Sequence, residues 1–254
     1  MQNVVNALRA LEEVAARQPV GVADLARALE LPKSSVQRTL VTLHTAGWIR
    51  AAGGSPTRWL VTTKALHVGR HATGELGLRD VALPVMEELR RRTDETIHLA
   101  VREGSKVVLV ERLETSQPVR IILPLGQNLS MHASANGKAV LAADPPEVAE
   151  RYIAEGLRGF TGTTITDPDR LRAELEETRS RGYATNSGEW RSDVSAVASA
   201  VVGESGLPFA SISINVPTSR MTDEARPEFG ALVNEAAKRV SAALGRAHEG
   251  SGGK

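Results

Sequence analysis

Apolar residues recur at helical spacing in residues 32–47, which read PKSSVQRTLVTLHTAG. The positions i, i+4 and i+7 of this stripe, which must face a core, are Val36, Leu40 and Leu43. Ser34 is the predicted N-cap of the helix, and Gly47 is its predicted C′ residue. Off the stripe, near the N-terminal end, lie groups that reach phosphates and base edges, namely Ser34, Ser35, Gln37 and Arg38.

Two shorter apolar stripes upstream predict two more helices. Residues 22–29 bring apolar side chains to one face, and the connection at residues 30–33 joins this helix to the next. The first helix, over residues 4–16, has a stripe made of Val4, Leu8, Leu11 and Val14 or Ala15. A short helix, a tight turn and a second helix with a polar leading edge are typical of a helix-turn-helix.

Two short runs of aromatic and β-branched residues follow, and they flank a Gly-Gly-Ser-Pro turn at residues 53–56. This pattern predicts a β-hairpin, and three helices followed by a hairpin make a winged helix-turn-helix, assigned to residues 1–63. The polar residues of the hairpin either touch phosphates or the minor groove, or are ordinary solvated groups. The residues predicted to contact DNA are Lys33, Ser34, Ser35, Gln37, Arg38, Thr39, Arg50, Thr57 and Arg58.

The net charge changes sign along the chain. Residues 1–73 hold 9 Lys and Arg against 4 Asp and Glu, whereas the remainder holds 22 against 26. A basic excess around the helix-turn-helix favours binding to a polyanion, although scatter of surface charge would also produce it. We therefore expect double-stranded DNA as a partner of the N-terminal part.

Beyond residue 63 the pattern changes from helices alone to helices mixed with strands. Helical patterns cover residues 64–73, 76–92, 147–155, 167–181 and 223–244, and a loop runs into a helix over residues 131–143. Runs typical of strands cover residues 95–102, 106–113, 119–123, 183–187, 194–202 and 209–216. Pro84 either interrupts its helix or begins a new one. In the helix predicted over residues 167–181, Asp167 is the N-cap, Pro168 begins the helix and Gly182 ends it.

These patterns predict an α+β fold in two domains that are joined by a helix. Residues 64–76 form the linker helix, and residues 77–247 form the second domain, in which helices intersperse antiparallel strands. Residues 248–254 are predicted to be a disordered tail. A helical linker would transmit orientation between the domains and could pack against a second subunit.

Polar and apolar residues alternate strictly in the last strand. Period two places the polar side chains on one face and the apolar ones on the other. The polar residues are Ser211, Ser213 and Asn215. Facing a concavity, this row would hold a small polar or carboxylate ligand, whereas facing water it would be the solvated side of an antiparallel sheet.

A second polar feature is the loop at residues 134–137, which leads into a helix. Because free N–H groups at a helix N-terminus favour an anion, a carboxylate ligand is expected there, unless Ser134 or Asn136 is simply a cap. Lys138 either pairs with the ligand or points outward. Trp190 lies in a polar loop, where it covers a pocket, packs at a subunit interface or covers a local core.

Several classes of function find no support. The chain has no cysteine, and His67 and His71 have no third ligand nearby, so we expect no metal site and no cofactor. The serines around His132 lie in no Gly-x-Ser-x-Gly elbow, so we expect no enzyme. The chain shows neither a signal peptide nor an apolar run long enough to cross a bilayer, which predicts a cytoplasmic protein without a membrane partner.

Two segments carry a resemblance to a known family. Residues 129–142, LSMHASANGKAVLA, and residues 182–217, GYATNSGEWRSDVSAVASAVVGESGLPFASISINVP, follow the helix-turn-helix and a coupling helix in this order. The chain thereby resembles the IclR family of bacterial transcriptional regulators over almost its whole length. The resemblance implies a GAF-like effector-binding fold for the second domain and a homodimer or a dimer of dimers.

The resemblance also implies an effector pocket. Its residues would be Ile121, Leu129, Ala135, Asn136, Gly137, Asn186, Val194, Ala196, Ser211, Ser213 and Asn215. Many relatives have an acid where this chain has Asn186 and a cysteine where it has Ala196. These departures predict a neutral pocket floor.

We therefore expect a regulator, with repression as the default, that binds a pseudo-palindromic operator and responds to a small carboxylate or aromatic acid. The alternative is a metabolite sensor or a small-molecule enzyme whose helix-turn-helix serves protein interaction.

Overall fold

The structure is a computed structural model that describes residues 2–74 and 77–251 of the chain, and the side chains of residues 2–69 and 77–246. The chain divides into two compact units between residues 75 and 76. The helix expected as a linker over residues 64–76 is present as Lys64–Gly74 at the end of the first unit. Residues 75 and 76 of that expected linker lie outside the described residues.

The first unit combines helices with a small antiparallel sheet. Its elements are α1 Gln2–Arg17, β1 Val20–Gly21, α2 Val22–Leu29, α3 Lys33–Thr45, β2 Ile49–Ala52, β3 Arg58–Val61 and α4 Lys64–Gly74. The strand order is β1-β3-β2, with Ile49 opposite Val61 and Val20 opposite Trp59. The hairpin agrees with the prediction, whereas β1 was missed because two residues are too few to show a pattern.

The apolar stripe of α3 forms the centre of the first core. Its three residues are buried among side chains of α1, α2 and the sheet, which include Val14, Leu25, Leu29, Ile49 and Trp59. Gly47 ends the helix with a φ of +77°, and the Trp48 N–H donates to the Leu43 carbonyl at 2.9 Å. This is a Schellman motif, as the sequence indicated.

Two predictions about these helices need correction: the N-cap of α3 and part of the apolar stripe of α1. The N-cap of α3 is Pro32 rather than Ser34, which lies in the first turn. In α1, Val4 is 66% exposed and Leu8 is 56% exposed, whereas Ala10 and Val14 are buried. The buried line runs through Ala10 and Val14, and Leu11 packs against the same core. The predicted stripe is therefore confirmed at Leu11 and Val14 and wrong at Val4 and Leu8.

The second unit is built on one antiparallel sheet of six strands in the order β6-β5-β4-β9-β8-β7. Its strands are β4 Thr96–Glu103, β5 Lys106–Leu113, β6 Asn128–Ser130, β7 Ala184–Ser187, β8 Val194–Val202 and β9 Pro208–Pro217. Its helices are α5 Leu78–Thr93, α6 Ala135–Ala143, α7 Pro146–Ala154, α8 Pro168–Arg181, the 3₁₀ turn Thr218–Arg220 and α9 Ala225–Ser251. This mixed architecture agrees with the predicted α+β class.

Each face of the sheet carries its own core. On one face, α5 and α9 pack over Ile212, Ile214 and Val216 of β9. On the other face, α6 lies over the polar side chains of β9, and apolar residues from α6, α7, α8 and the loop at residues 119–127 form a second cluster. The polar row of β9 therefore faces a helix, and its interpretation as the solvated side of the sheet was wrong.

Three boundaries differ from the sequence pattern. Residues 119–123 form no strand, although Ile121 and Leu123 are buried, because burial of apolar residues does not require a hydrogen-bonded ladder. Helix α5 is continuous through Pro84. Helix α9 runs to Ser251, so it enters the segment expected to be disordered, whose residues 252–254 lie outside the described residues.

Candidate nucleic-acid interface and effector site

The leading edge of α3 presents its polar side chains to solvent. Lys33, Ser34, Gln37 and Arg38 are exposed, whereas Ser35 and Thr39 are half-buried. No side chain caps α3, and the Pro32 carbonyl accepts the N–H groups of Ser35 and Val36 at 3.0 and 3.1 Å. The N–H groups before Ser35 are therefore left for an anion such as a phosphate. The geometry thus suits a helix whose first turn meets a DNA backbone.

The hairpin residues differ among themselves. Arg50, Thr57 and Arg58 are all exposed. The Arg58 Nη1 donates to the Pro19 carbonyl at 2.9 Å, so this guanidinium also holds the chain before β1 against the hairpin. Arg50 and Thr57 remain predicted phosphate contacts.

All eleven residues expected in the effector pocket are buried in the second unit. The polar ones share one face of the sheet because directly opposed residues of antiparallel strands point to the same side. Ser213 stands opposite Ala198, and Asn215 stands opposite Ala196, which in turn stands opposite Asn186. The β-sheet register therefore brings together residues that are far apart in the sequence.

Helix α6 begins directly over this face. Ser134 is its N-cap and accepts a hydrogen bond from the Gly137 N–H at 3.0 Å, which resolves the choice between Ser134 and Asn136. The Asn136 Nδ2 donates to the Ser211 Oγ at 3.0 Å. A seam of small side chains lets the helix approach the sheet, and it consists of Ala135, Ala139, Ala184, Ala196 and Ala198.

Gly137 has a packing role. A Cβ at this position would come within 2.6 Å of the Met131 carbonyl oxygen and closer still to the Met131 Cα. A side chain here would therefore push α6 off the preceding turn. Its place among the effector-contacting residues stays a prediction, while its need to be glycine follows from packing alone.

Lys138 points into the protein, so the outward orientation that the sequence left open was wrong. It is fully buried, and its Nζ donates to both carboxylate oxygens of Glu189 at 2.7 and 2.9 Å. Glu174 lies 3.6 Å from the same Nζ. Burial raises the pKa of Glu189, and the charge of Lys138 opposes that shift. A buried ion pair thus lies three residues beyond Asn186, and the neutral floor of the effector pocket stays a prediction about positions 186 and 196.

The loop that carries Glu189 is held on both sides. The Asn186 Oδ1 accepts the Glu189 N–H at 2.8 Å, and the Thr164 Oγ1 donates to the Glu189 carbonyl at 2.6 Å. Trp190 is half-buried and packs against the apolar cluster under α6. Of the three roles open to Trp190, the structure thus shows the cover of a local core.

Two buried polar residues of β4 were missed by sequence reasoning. Thr96 stands opposite Asn215, and His98 stands opposite Ser213, so both lie on the face under α6. Both are 0% exposed. Within the described part of the chain, the Thr96 Oγ1 and both ring nitrogens of His98 have no hydrogen-bond partner. The available signal was the polar residue at every second position of an otherwise apolar strand.

Other features bear on the alternatives. A cavity of about 550 Å³ opens elsewhere in the second unit, between α6, α8, β8 and α9, and no predicted effector residue lines it. Among the residues with described side chains, no group of three His, Asp or Glu could hold a metal ion, and His71 lies outside them. None of the described helices combines the length and hydropathy needed to cross a membrane.

A winged helix-turn-helix followed by a separate mixed domain with a closed polar face is the organisation of a ligand-responsive transcriptional regulator. The family model described as the IclR helix-turn-helix domain matches residues 3–53, and the model described as the bacterial transcriptional regulator IclR C-terminal domain matches residues 70–242. The chain therefore belongs to the IclR family.

Individual relatives support the same assignment. The transcriptional repressor IclR of Escherichia coli strain K12 is 32% identical over 249 residues, which cover 96% of this chain and 90% of that protein. The crystal structure of the Thermotoga maritima IclR has a TM-score of 0.82 and 26% identity, and the match covers 96% of this chain and 99% of that one. An IclR homolog of Microbacterium hydrocarbonoxydans, complexed with 4-hydroxybenzoate, has a TM-score of 0.81 and 26% identity, with 95% and 98% coverage.

These comparisons confirm that the chain is a DNA-binding, ligand-responsive regulator of the repressor type and not an enzyme. The alternative, in which the helix-turn-helix serves protein interaction beside a small-molecule enzyme, is dropped. The GAF-like description, the cytoplasmic location and the individual contact residues stay predictions.

Proposed function

We propose that two copies of the chain bind a pseudo-palindromic operator, as a homodimer or as a dimer of dimers. Each α3 would enter a major groove, where Gln37 and Arg38 read base edges and Ser34 and Lys33 contact phosphates. The proposal rests on the exposure of these side chains and on the open N-terminus of α3. A second copy is required because one recognition helix reads only one half-site.

We further propose that the effector is a small carboxylate or an aromatic acid, bound between α6 and the polar face of β9. The observation that carries this proposal is the hydrogen bond from Asn136 to Ser211, which joins the first turn of α6 to that face. A helix N-terminus stabilises a carboxylate, and buried hydroxyls and amides fix its orientation. The relative that is complexed with 4-hydroxybenzoate carries a ligand of this class.

The effector would regulate by binding two states of the protein with different affinities. An effector can change the affinity for DNA only by that difference, which is typically about 1–3 kcal/mol in either direction. A ligand that binds both states equally well would leave operator binding unchanged, however tightly it bound.

The experiment is a fluorescence-anisotropy titration of the full chain against the DNA beside its own gene, with and without a panel of carboxylic acids. We expect salt-sensitive, sequence-specific binding, and a five- to hundredfold shift, roughly, in DNA affinity with an active acid. Ser213→Ala should reduce the shift and leave effector-free DNA binding unchanged. Ser205→Ala, in the exposed turn before β9, is the control and should behave as the wild type; a normal response from Ser213→Ala would place the effector elsewhere.

A further inference from the structure

Two buried histidines of the second unit, His132 and His98, differ in their hydrogen bonding. His132 is buried, and its Nδ1 lies 2.6 Å from the Tyr152 hydroxyl while its Nε2 lies 2.9 Å from the Arg158 carbonyl. His98 is buried to the same degree, yet neither of its ring nitrogens has a partner among the described residues. A structural histidine is thus fully hydrogen-bonded here, and His98 is not.

The unpaired groups lie together rather than at random. The Thr96 Oγ1 and the two His98 nitrogens stand on the same strand face, opposite Asn215 and Ser213. Those two residues are already bonded to each other, since the Asn215 Nδ2 donates to the Ser213 Oγ at 2.8 Å. A buried polar group without a hydrogen bond costs free energy, so three such atoms on one face indicate that a further molecule completes them.

We propose that His98 and Thr96 bind the effector directly and select an acid that also carries a hydroxyl group. This deepens the effector site proposed above and rests on it. In this arrangement the carboxylate lies at the first turn of α6, beside Asn136 and Ser211, and the hydroxyl of the same molecule reaches His98.

The spacing along the strand suits this assignment. Ser213, opposite His98, lies two residues from Ser211, a distance of about 7 Å at the usual rise of an antiparallel strand. This separation is comparable to the span between the two polar ends of a para-hydroxylated aromatic acid. The side chains that stand on the same face near this line at Ala100 and Ala198 are small.

The protonation state of His98 decides which group it prefers. Burial, followed by the charge of Arg112, lowers its pKa to about 3. A neutral imidazole offers one N–H donor and one nitrogen acceptor, which matches a hydroxyl group in both directions. It does not supply the positive charge that a second carboxylate would need. The nearby cation, Arg112 opposite His98 on β5, already donates to Glu114 and to the Leu123 carbonyl, so the specificity is for a hydroxy acid over a dicarboxylate.

The test uses matched ligands that differ only in a hydroxyl group para to the acid-bearing substituent, namely 4-hydroxybenzoate against benzoate and 4-hydroxyphenylacetate against phenylacetate. Calorimetric titration of the wild-type chain should show at least one pair in which the hydroxylated acid binds roughly ten- to a hundredfold more tightly. In His98→Leu this preference should fall to roughly threefold or less, while the affinity for the unhydroxylated acid stays the same. Thr96→Val, which removes one hydroxyl and keeps the shape, should lower the preference by a smaller factor.

Two controls keep the outcomes separate. His98→Gln retains a donor and an acceptor and should restore part of the preference. Ser199→Ala, on the other sheet face and in the lining of the cavity of about 550 Å³, should bind both ligands as the wild type does. A loss of binding in Ser199→Ala would move the site to that cavity and overturn the proposal.

The ligand-free protein provides an independent readout. Because His98→Leu removes two buried nitrogens that have no hydrogen-bond partner among the described residues, its melting temperature should rise, by roughly 2–4 °C. A fall would show that His98 stabilises the fold through buried water and would overturn the proposal. An unchanged hydroxyl preference in His98→Leu would also overturn it and leave the effector site standing, whereas the absence of binding to all four acids would remove the proposed effector class as well.

Discussion

The polar side chains of α3 and those of β9 lie in opposite environments. Gln37 and Arg38 are exposed at the edge of a small core, whereas Ser211 and Ser213 are 0% exposed under α6. Water satisfies the first pair until a large partner displaces it, but only the protein or a small molecule can satisfy the second pair. The residues predicted to contact DNA can therefore change without cost to the fold, while the proposed effector site is part of a core.

The largest effect should come from breaking the buried ion pair between Lys138 and Glu189. Lys138→Met leaves the Glu189 carboxylate buried without its cation, and removing one partner of a buried pair costs about 3–5 kcal/mol. Burial already raises the pKa of Glu189, so part of this loss should be recovered at low pH, where the carboxyl group takes up a proton. Urea unfolding of the second unit at two pH values measures both effects.

The double variant separates charge from packing. Lys138→Met combined with Glu189→Leu removes both charges and should recover most of the stability that the single variant loses. A single variant that loses less than about 1 kcal/mol would contradict the view that this polar region is part of the core.

The reverse behaviour is expected on α3. Arg38→Ala should weaken specific operator binding by about 1–3 kcal/mol and change the unfolding free energy by no more than about 0.5 kcal/mol. Arg9→Ala, an exposed arginine of α1, is the matched control for the loss of one positive charge. Equal operator affinity in Arg38→Ala and the wild type would show that Arg38 does not contact the operator. A large loss of stability would show that Arg38 contributes to the fold, and would contradict the contrast drawn with β9.

The same contrast explains which features could be predicted from the sequence. The ends of α8 agree with the prediction because local chemistry sets them: Asp167 accepts the Arg170 N–H at 2.8 Å, Pro168 begins the helix and Gly182 ends it with a φ of +83°. The exposed edge of α3 also follows from one helical period. Both features depend on residues within a few positions of each other.

The buried site was harder because its partners are distant in the sequence. Lys138 and Glu189 are 51 positions apart, so nothing near Lys138 shows whether it points inward. His98 is separated from Ser213 by the whole path from β4 to β9, and only the register places them opposite each other. The strand predicted over residues 119–123 was wrong for the opposite reason. Local composition favoured a strand, whereas in the structure Ile121 and Leu123 are buried without a hydrogen-bonded ladder.

The last test of the comparison is how the free energy of unfolding depends on pH through His98 on the buried face. The pKa of His98 is about 3 in the folded chain because of burial and then the charge of Arg112, and it should be near the ordinary value of about 6.5 in the unfolded chain. Below a pH equal to that ordinary value, the unfolded chain binds a proton that the folded chain does not. The free energy of unfolding therefore loses nothing through His98 above that pH, and it falls as the pH drops towards the folded pKa. For one group the loss is about 2 kcal/mol between roughly pH 7 and pH 5.

Because His132 and several carboxyl groups also titrate, the measurement is the difference between the wild type and His98→Leu at each pH. The two curves should converge towards one slope above about pH 7 and separate below it, with the variant losing less stability on acidification. Parallel curves would show that His98 is hydrated or hydrogen-bonded in solution. Water would then reach the polar face of β9, as it reaches the edge of α3, although Ser211 and Ser213 are 0% exposed.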